Sequence, residues 1–193
     1  MTIAKPLKPK ACKACKTLFQ PRSSWARACS VLCGLEIARK VSEKKSHAAA
    51  VADRKETRER LEAMKTIPQL LREAQVSFNV FIRERDRQAG YPCISSGRPL
   101  DWSGNGVDAG HFRSVGAAPH IRYNEDNCHA QSKHDNQYLS GNMGAYRVGL
   151  IARIGLERVQ ALECANFLHK WTREELIEIK RAYMAKLKEL KGR

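Results

Sequence analysis

The first 33 residues constrain this chain more than any other stretch, because they hold four cysteines as Cys12-Lys-Ala-Cys15 and Cys29-Ser-Val-Leu-Cys33. A segment that short cannot bury enough apolar surface to fold alone, so something must cross-link it. A C-x2-C pair and a C-x3-C pair separated by thirteen residues have the spacing of a tetrahedral thiolate site. Structural zinc on Cys12, Cys15, Cys29 and Cys33 is the expectation, with a hairpin in the spacer setting Phe19 and Trp25 behind the metal. Four thiolates leave zinc no open position, so this module holds structure and does no chemistry. The chain has seven cysteines, an odd number with four in one cluster, which fits a reducing compartment and a metal better than a disulfide framework. The bland alternative is four unrelated thiols.

The net charge of +15 is unevenly spread. Residues 1–33 carry seven basic side chains and no acid, whereas residues 92–142 carry four basic against five acidic. A polyanion-binding protein needs the first arrangement and a cation site needs the second. The zinc module, with a loose basic arm at KPLKPK, is therefore expected to touch DNA backbone through Lys8, Lys10, Lys13, Lys16, Arg22 and Arg27. Arg113 and Arg122 are candidate contacts from the core. The alternative is that these charges only solvate the surface. No signal peptide and no apolar run near the length of a membrane span is present, so no membrane partner is expected.

Four segments follow from composition and periodicity: a basic four-cysteine zinc module (1–33), a charged helix or linker (34–65), a core with its preceding helix (66–142) and C-terminal helices (143–193). Residues 34–65 have no proline, no glycine after Gly34 and few apolar positions, as in a solvated helix. Thr66 with Gln69 forms a capping box, and Leu70, Leu71, Ala74, Phe78, Phe81 and Ile82 repeat at helical spacing. Gly90 and Pro92 end that segment. Tyr146, Leu150, Ile151 and Ile154 predict a helix broken at Gly155, with Val159 and Leu162 in a second short one. Thr172 and Glu175 cap a last helix whose face is Leu176, Ile179, Tyr183, Leu187 and Leu190.

The chemistry-bearing residues concentrate between Asp108 and Asn142, a stretch rich in His, Asn and Asp. Hydrolysis of a phosphodiester needs an activated water and a cation to take up developing negative charge. A neutral histidine can serve as base, and an asparagine carbonyl can fix its tautomer. A hard cation, Mg2+ or Mn2+, prefers carboxylate, amide oxygen and water. Asp108-Ala-Gly-His111-Phe reads as a strand, with Gly110 permitting close approach of metal or phosphate and His111 as candidate base. Asn127 is the candidate orienting residue. Asp108, His134, Asn136 and His129 are candidate ligands of the catalytic cation, and Asn136 opens or lies on the helix that closes the site. The order His, then Asn, then His or Asn is that of a ββα-metal (HNH) nuclease. The expected fold is thus α+β, mostly helical: a small HNH-like ββα-metal core flanked by helices, with the N-terminal zinc module on four cysteines. Singly, these residues have plainer readings as a surface histidine and turn formers.

From Ser77 to Tyr146 the chain resembles the NinG family of lambdoid phages, the Rap-type recombination endonucleases. The matching runs are Asn79-Val-Phe-Ile-Arg-Glu-Arg-Asp86, Pro92-Cys-Ile-Ser95, Asp108-Ala-Gly-His-Phe112, Arg122-Tyr-Asn-Glu-Asp-Asn127, Ser140-Gly-Asn142 and Tyr146-Arg147. The cysteine pairs, the basic helix and Trp171-Thr-x-Glu-Glu occur in the same order. The resemblance implies a structure-selective endonuclease that cleaves branched intermediates, Holliday junctions and D-loops, with Mg2+ or Mn2+, in the host cytoplasm. A homodimer would match the two-fold symmetry of a four-way junction, though no segment is selected as its interface. The resemblance also implies a second, core zinc on two C-x2-C pairs, but the corresponding positions here read Cys93, Ser96, Ser132 and Asp135. Loss of three ligands together leaves the core to apolar packing, with Trp102, Phe112, Ile121, Tyr123 and Leu139 as contributors. The rival is a rearranged zinc on Cys93, Cys128, His129 and His134. Two other functions stay open: a branched-DNA-binding accessory that does not cut, and a zinc-finger scaffold for protein partners.

Overall fold

Contacts divide the chain into two compact units, one ending at Met64 and the other beginning at Lys65. The computed structural model describes residues 7–192; residues 1–6, which include Lys5 of the expected basic arm, and Arg193 lie outside the described residues. In the first unit β1 (Lys10–Ala11) pairs antiparallel with β2 (Leu18–Phe19), Lys10 opposite Phe19. The turn between them closes through the Cys12 N–H and the Thr17 carbonyl, 2.9 Å apart. This hairpin therefore encloses the first cysteine pair and does not occupy the spacer between pairs, as the spacing had suggested. Trp25 is 84% exposed and packs behind nothing. A 34-residue helix, α1 (Val31–Met64), follows with no buried residue. Without an apolar stripe it is supported by pairs at helical spacing such as Arg39 with Glu36 and Glu43, each contributing a few tenths of a kcal/mol, about 0.2–0.5.

The second unit starts with α2 (Ile67–Gln88), where the Gln69 side-chain oxygen accepts the Thr66 N–H at 2.7 Å. Its buried face is Leu70, Ala74, Phe78, Phe81 and Ile82, as the periodicity predicts, with Asp86 the only charged member. A loop leads to β3 (Val107–His111), which pairs antiparallel with β4 (Cys128–Ser132) so that His111 stands opposite Cys128 and Asp108 opposite Gln131. A single π-helical turn, His134–Tyr138, comes next. Ser140, Gly141 and Asn142, at φ 51, 84 and 47°, then reverse the chain into α3 (Met143–Ile154). Gly155, at φ 86°, breaks α3 from α4 (Leu156–Cys164) at the residue the sequence indicates. The last helix, α5 (Arg173–Lys191), opens with the Thr172 hydroxyl accepting the Glu175 N–H at 3.3 Å.

Two apolar clusters hold these elements. One joins α2 to Leu176 and Tyr183 of α5, with Tyr123 and Cys128 between them. The other joins Phe112 and Ile121 to Tyr146 and Leu150 of α3 and to Val159 and Leu162 of α4. Phe112, Ile121 and Tyr123 are buried as expected, but Leu139 is 48% exposed and Trp102 belongs to neither cluster. Among the described residues no helix is long and apolar enough to cross a membrane.

Candidate functional site

The cysteine cluster of the first unit is built by two tight turns facing each other. The Sγ atoms of Cys12, Cys15, Cys29 and Cys33 all lie within 4.8 Å of one another, with Cys15–Cys29 at 3.5 Å and Cys29–Cys33 at 3.6 Å. A tetrahedral zinc with Zn–S bonds of about 2.3 Å sets its sulfurs about 3.8 Å apart, so the donor set fits such a metal. The Cys29 N–H donates to Cys12 Sγ at 3.4 Å. Backbone N–H groups, that of Cys15 first, lower the Cys12 thiol to about 6, while the neighbouring sulfurs of Cys15 and Cys33 push Cys29 up to about 12. Crowded sulfurs of this kind resist losing all their protons unless a cation joins them. Lys8, Lys10, Lys13, Lys16, Arg22 and Arg27 are all exposed in this unit.

In the second unit, the β3–β4 hairpin and the π turn place His111 at the end of one strand and Asn136 just past the other. Both line an open pocket of about 560 Å³ together with Ser114 and Ser140. His111 Nε2 lies 3.0 Å from the Arg122 carbonyl oxygen. A carbonyl only accepts, so Nε2 carries the proton and Nδ1 keeps a lone pair. Burial, then the Arg122 contacts, move the His111 pKa, which lies below the ordinary 6.5, and the ring is neutral near pH 7. Nδ1 stands 3.6 Å from the Cys128 thiol, which complete burial keeps protonated.

Asn127 does not orient His111; the Arg122 carbonyl does. Instead Asn127 is fully buried and staples the intervening loop: its Oδ1 accepts the Arg113 N–H at 2.8 Å, and its Nδ2 donates to the carbonyls of Arg113 and Ile121 at 3.0 and 3.3 Å. By fixing that loop it fixes Arg122, and so acts on His111 at one remove. Gly110 also differs from expectation. A Cβ there would lie 2.1 Å from the Gln131 side-chain oxygen, so the close approach it permits is cross-strand packing, not metal or phosphate.

Asp108 and Asn136 do come together. Asp108 Oδ2 accepts from Asn136 Nδ2 at 3.0 Å and from Gln137 Nε2 at 2.9 Å, and both Asp108 and Asn136 line a second pocket of about 270 Å³. One carboxylate and one amide oxygen beside open space suit Mg2+ or Mn2+, which keep several waters and take substrate phosphate oxygens as further ligands. The other two candidate ligands lie elsewhere. His129 is 4% exposed with both ring nitrogens occupied: Nδ1 is 3.0 Å from Arg85 Nη2, and Nε2 is 3.2 Å from the Asp126 carbonyl. It has no lone pair to give a metal. His134 is exposed and lines a pocket with Cys93, Ser132 and Asp135.

That third place gathers the four positions of the implied core zinc. Cys93 Sγ lies 3.3 Å from Asp135 Oδ2, the Ser132 hydroxyl donates to the same oxygen at 2.6 Å, and Asn142 Nδ2 donates to Asp135 Oδ1 at 3.2 Å. The Ser132 N–H reaches Cys93 Sγ at 3.3 Å. One thiol, two hydroxyls and a carboxylate do not make a zinc site, and a hydrogen-bonded network, not apolar packing alone, fills the place. The rearranged alternative fails too. Cys93 joins Asp135, Cys128 faces His111 and His129 faces Arg85, and among the described residues the N-terminal four-cysteine cluster is the one group of metal-binding side chains close enough to share an ion.

Arg113 and Arg122 are half-buried. The Arg113 guanidinium is committed to the carbonyls of Leu162 and Ala165 at the end of α4. Two residues that enter the sequence reading only within the resembling run Asn79–Asp86, and have no role there, stand closer to the site: Asn79 and Arg83, α2 side chains that share the pocket of Asp108 and Asn136. Their spacing of four residues puts them on one helical face, but beside an apolar stripe they read as ordinary solvated positions.

With this geometry in place, comparison with known proteins is decisive for family. A family model described as "Bacteriophage Lambda NinG protein" matches residues 4–192. The chain belongs to the NinG family. Protein ninG of Escherichia phage lambda is 40% identical over 207 residues, covering 98% of this chain and 97% of that protein. Protein ninG of Escherichia phage 933W is likewise 40% identical over 203 residues, with 98% of this chain and 97% of that NinG protein covered, and that of Salmonella phage P22 is 39% identical over 192, covering 92% and 90% of the two chains. No solved structure matches this NinG chain.

Proposed function

We propose that this chain is a metal-dependent endodeoxyribonuclease of the HNH type that cuts branched DNA. One observation carries the reading: within a β-hairpin, His111 is held as the neutral Nε2–H tautomer by the Arg122 carbonyl, and it shares a pocket with Asn136. A base so fixed can take up a proton at Nδ1 without first having to lose one, and the water it acts on would have to displace the Cys128 thiol that faces this nitrogen. A divalent cation bound at Asp108 and Asn136 would supply charge stabilisation to the leaving oxygen. Asn127 keeps the Arg113–Arg122 loop, and hence the clamp on His111, in place. The exposed basic side chains of the zinc module supply sequence-independent attraction to phosphates.

The preference for Holliday junctions and D-loops rests on family resemblance together with net charge. A second reading, a branched-DNA-binding accessory that does not cut, is favoured by two features: Asp108 stands alone among carboxylates at its pocket, and Nδ1 of His111 faces a buried thiol. The test incubates full-length protein with a synthetic four-way junction, a D-loop and linear duplex, each with EDTA, Mg2+ or Mn2+, on native and denaturing gels. Cation-dependent nicks confined to branched substrates are expected. Tight binding to junctions with intact strands under every cation would replace the nuclease with the accessory.

A further inference from the structure

The pocket of Asp108 does not end at Asp108. It shares Ala109 and Asn136 with the His111 pocket on one side, and Val80 and Arg83 with a third pocket of about 230 Å³ on the other. The three pockets thus lie side by side as a furrow from His111 past Asp108 and Arg83 to Trp102, which lines the far one. Two side chains there are only weakly tied into the fold. Trp102 is half-buried but belongs to neither apolar cluster, although an indole is among the largest apolar groups a core can recruit. It is presented on a loop braced by Asp101, whose Oδ1 accepts the Ser103 N–H at 2.9 Å and its hydroxyl at 2.6 Å. Arg83 has no carboxylate within ion-pair distance among the described residues and makes only a long 3.5 Å contact to the Val107 carbonyl. Its neighbours on α2 differ: Arg85 pairs with Asp86 and Arg87 with Glu84.

We propose that this furrow seats one unpaired DNA strand, with Arg83 on a backbone phosphate and Trp102 stacked on a nucleobase. A planar guanidinium with no carboxylate partner suits a phosphate, and an aromatic face accepts any base once it has left its pair. A paired base presents no face to a side chain, so the furrow selects the unpaired strands of forks and D-loops. The direction of the strand towards His111 rests on the nuclease reading; its capture by Arg83 and Trp102 does not.

The experiment measures binding in EDTA, where cutting plays no part. Full-length protein is titrated against a forked DNA carrying 2-aminopurine in its unpaired arm, and against a fully paired duplex. Wild type is expected to quench the probe. Trp102→Ala should lose about 5- to 100-fold in affinity for the fork, together with the quenching, while holding the duplex as wild type does, which also shows it to be folded. Trp102→Phe should keep most of the fork affinity. Arg83→Ala should weaken fork binding and lower the slope of log affinity against log salt by about 1. Fork affinity unchanged in Trp102→Ala, or lost equally in Trp102→Phe, would overturn the proposal. A protein that never cuts yet shows Trp102-dependent fork binding would keep the furrow and discard the nuclease.

Discussion

A histidine that is to take a proton from water must be neutral, and it must point the right nitrogen at the water. At His111 burial supplies the first, and the Arg122 carbonyl fixes the tautomer, leaving Nδ1, which faces the Cys128 thiol, as the basic nitrogen. His111→Ala should therefore reduce cutting by about 10²- to 10⁴-fold while leaving junction affinity in EDTA nearly unchanged, a pair of readings obtained on one set of gels. The acid limb of the cleavage rate against pH should fall below 6.5, since the His111 pKa is depressed from that value; a limb at or above 6.5 would assign the base elsewhere. Stability has its own pH signature. His111 and His129 are both depressed by burial, so the unfolded chain takes up protons that the folded one refuses, and stability should decline as pH drops through 6.5. Asp86 adds a second window. Burial works to raise its pKa, but His129, Arg85 and the Ala130 N–H outweigh this and hold it at about 2. Its contribution is thus present above 3.8 and lost towards 2. Because Asp86 is fully buried and accepts from Ala130 at 2.7 Å, Asp86→Ala should cost about 3–5 kcal/mol, as for a broken buried ion pair, in urea unfolding. The strand that carries His111 was legible in the sequence. The partner of its ring was not, since a carbonyl leaves no mark on residue identity, and the more conspicuous Asn127 drew the role that Arg122 fills.

Helices were the readable part at the scale of elements. The caps at Thr66 and Thr172, the break at Gly155 and the apolar stripes of α2 and α5 each rest on local rules, and each lies where those rules put it. What crossed between elements was harder to read. The hairpin of the first unit formed around Cys12 and Cys15, because a tight C-x2-C turn is itself a hairpin connection, and Trp25 was left in solvent. Likewise Trp102 looked like core material on hydrophobicity alone, which says nothing about which loop carries it. The knuckle of Cys93, Ser96, Ser132 and Asp135 makes the sharpest prediction at this scale. Its backbone brings an N–H to Cys93 Sγ, as the backbone of the N-terminal four-cysteine cluster does to Cys12 Sγ. Changing Ser96→Cys, Ser132→Cys and Asp135→Cys together should raise bound zinc from one to two per chain by metal analysis. A value still at one would mean that the knuckle has drifted from tetrahedral geometry.

For the molecule as a whole, the division at Met64 separates a unit without an apolar core from one that has two clusters. Metal should matter to them unequally. A zinc chelator is expected to abolish the fold of residues up to about Cys33, while the near-ultraviolet signal of Tyr123, Tyr146 and Tyr183 persists and melts at an unchanged temperature. Simultaneous loss of both signals would show that the second unit depends on the first.

The helix α2 carries Asn79 and Arg83 of the furrow and packs its apolar face on α5, a partner about 85 residues later in the chain. Closing so long a loop is slow and cannot begin before α5 has been made. During translation α2 therefore emerges early with Phe78 and Phe81 bare, a temporary binding surface for whatever shields nascent chains. No described residue of α5 lines the furrow, but α5 supports α2, one of its walls, from the apolar side, so a ribosome stalled just before α5 would release a fragment with every furrow residue and no support behind that wall.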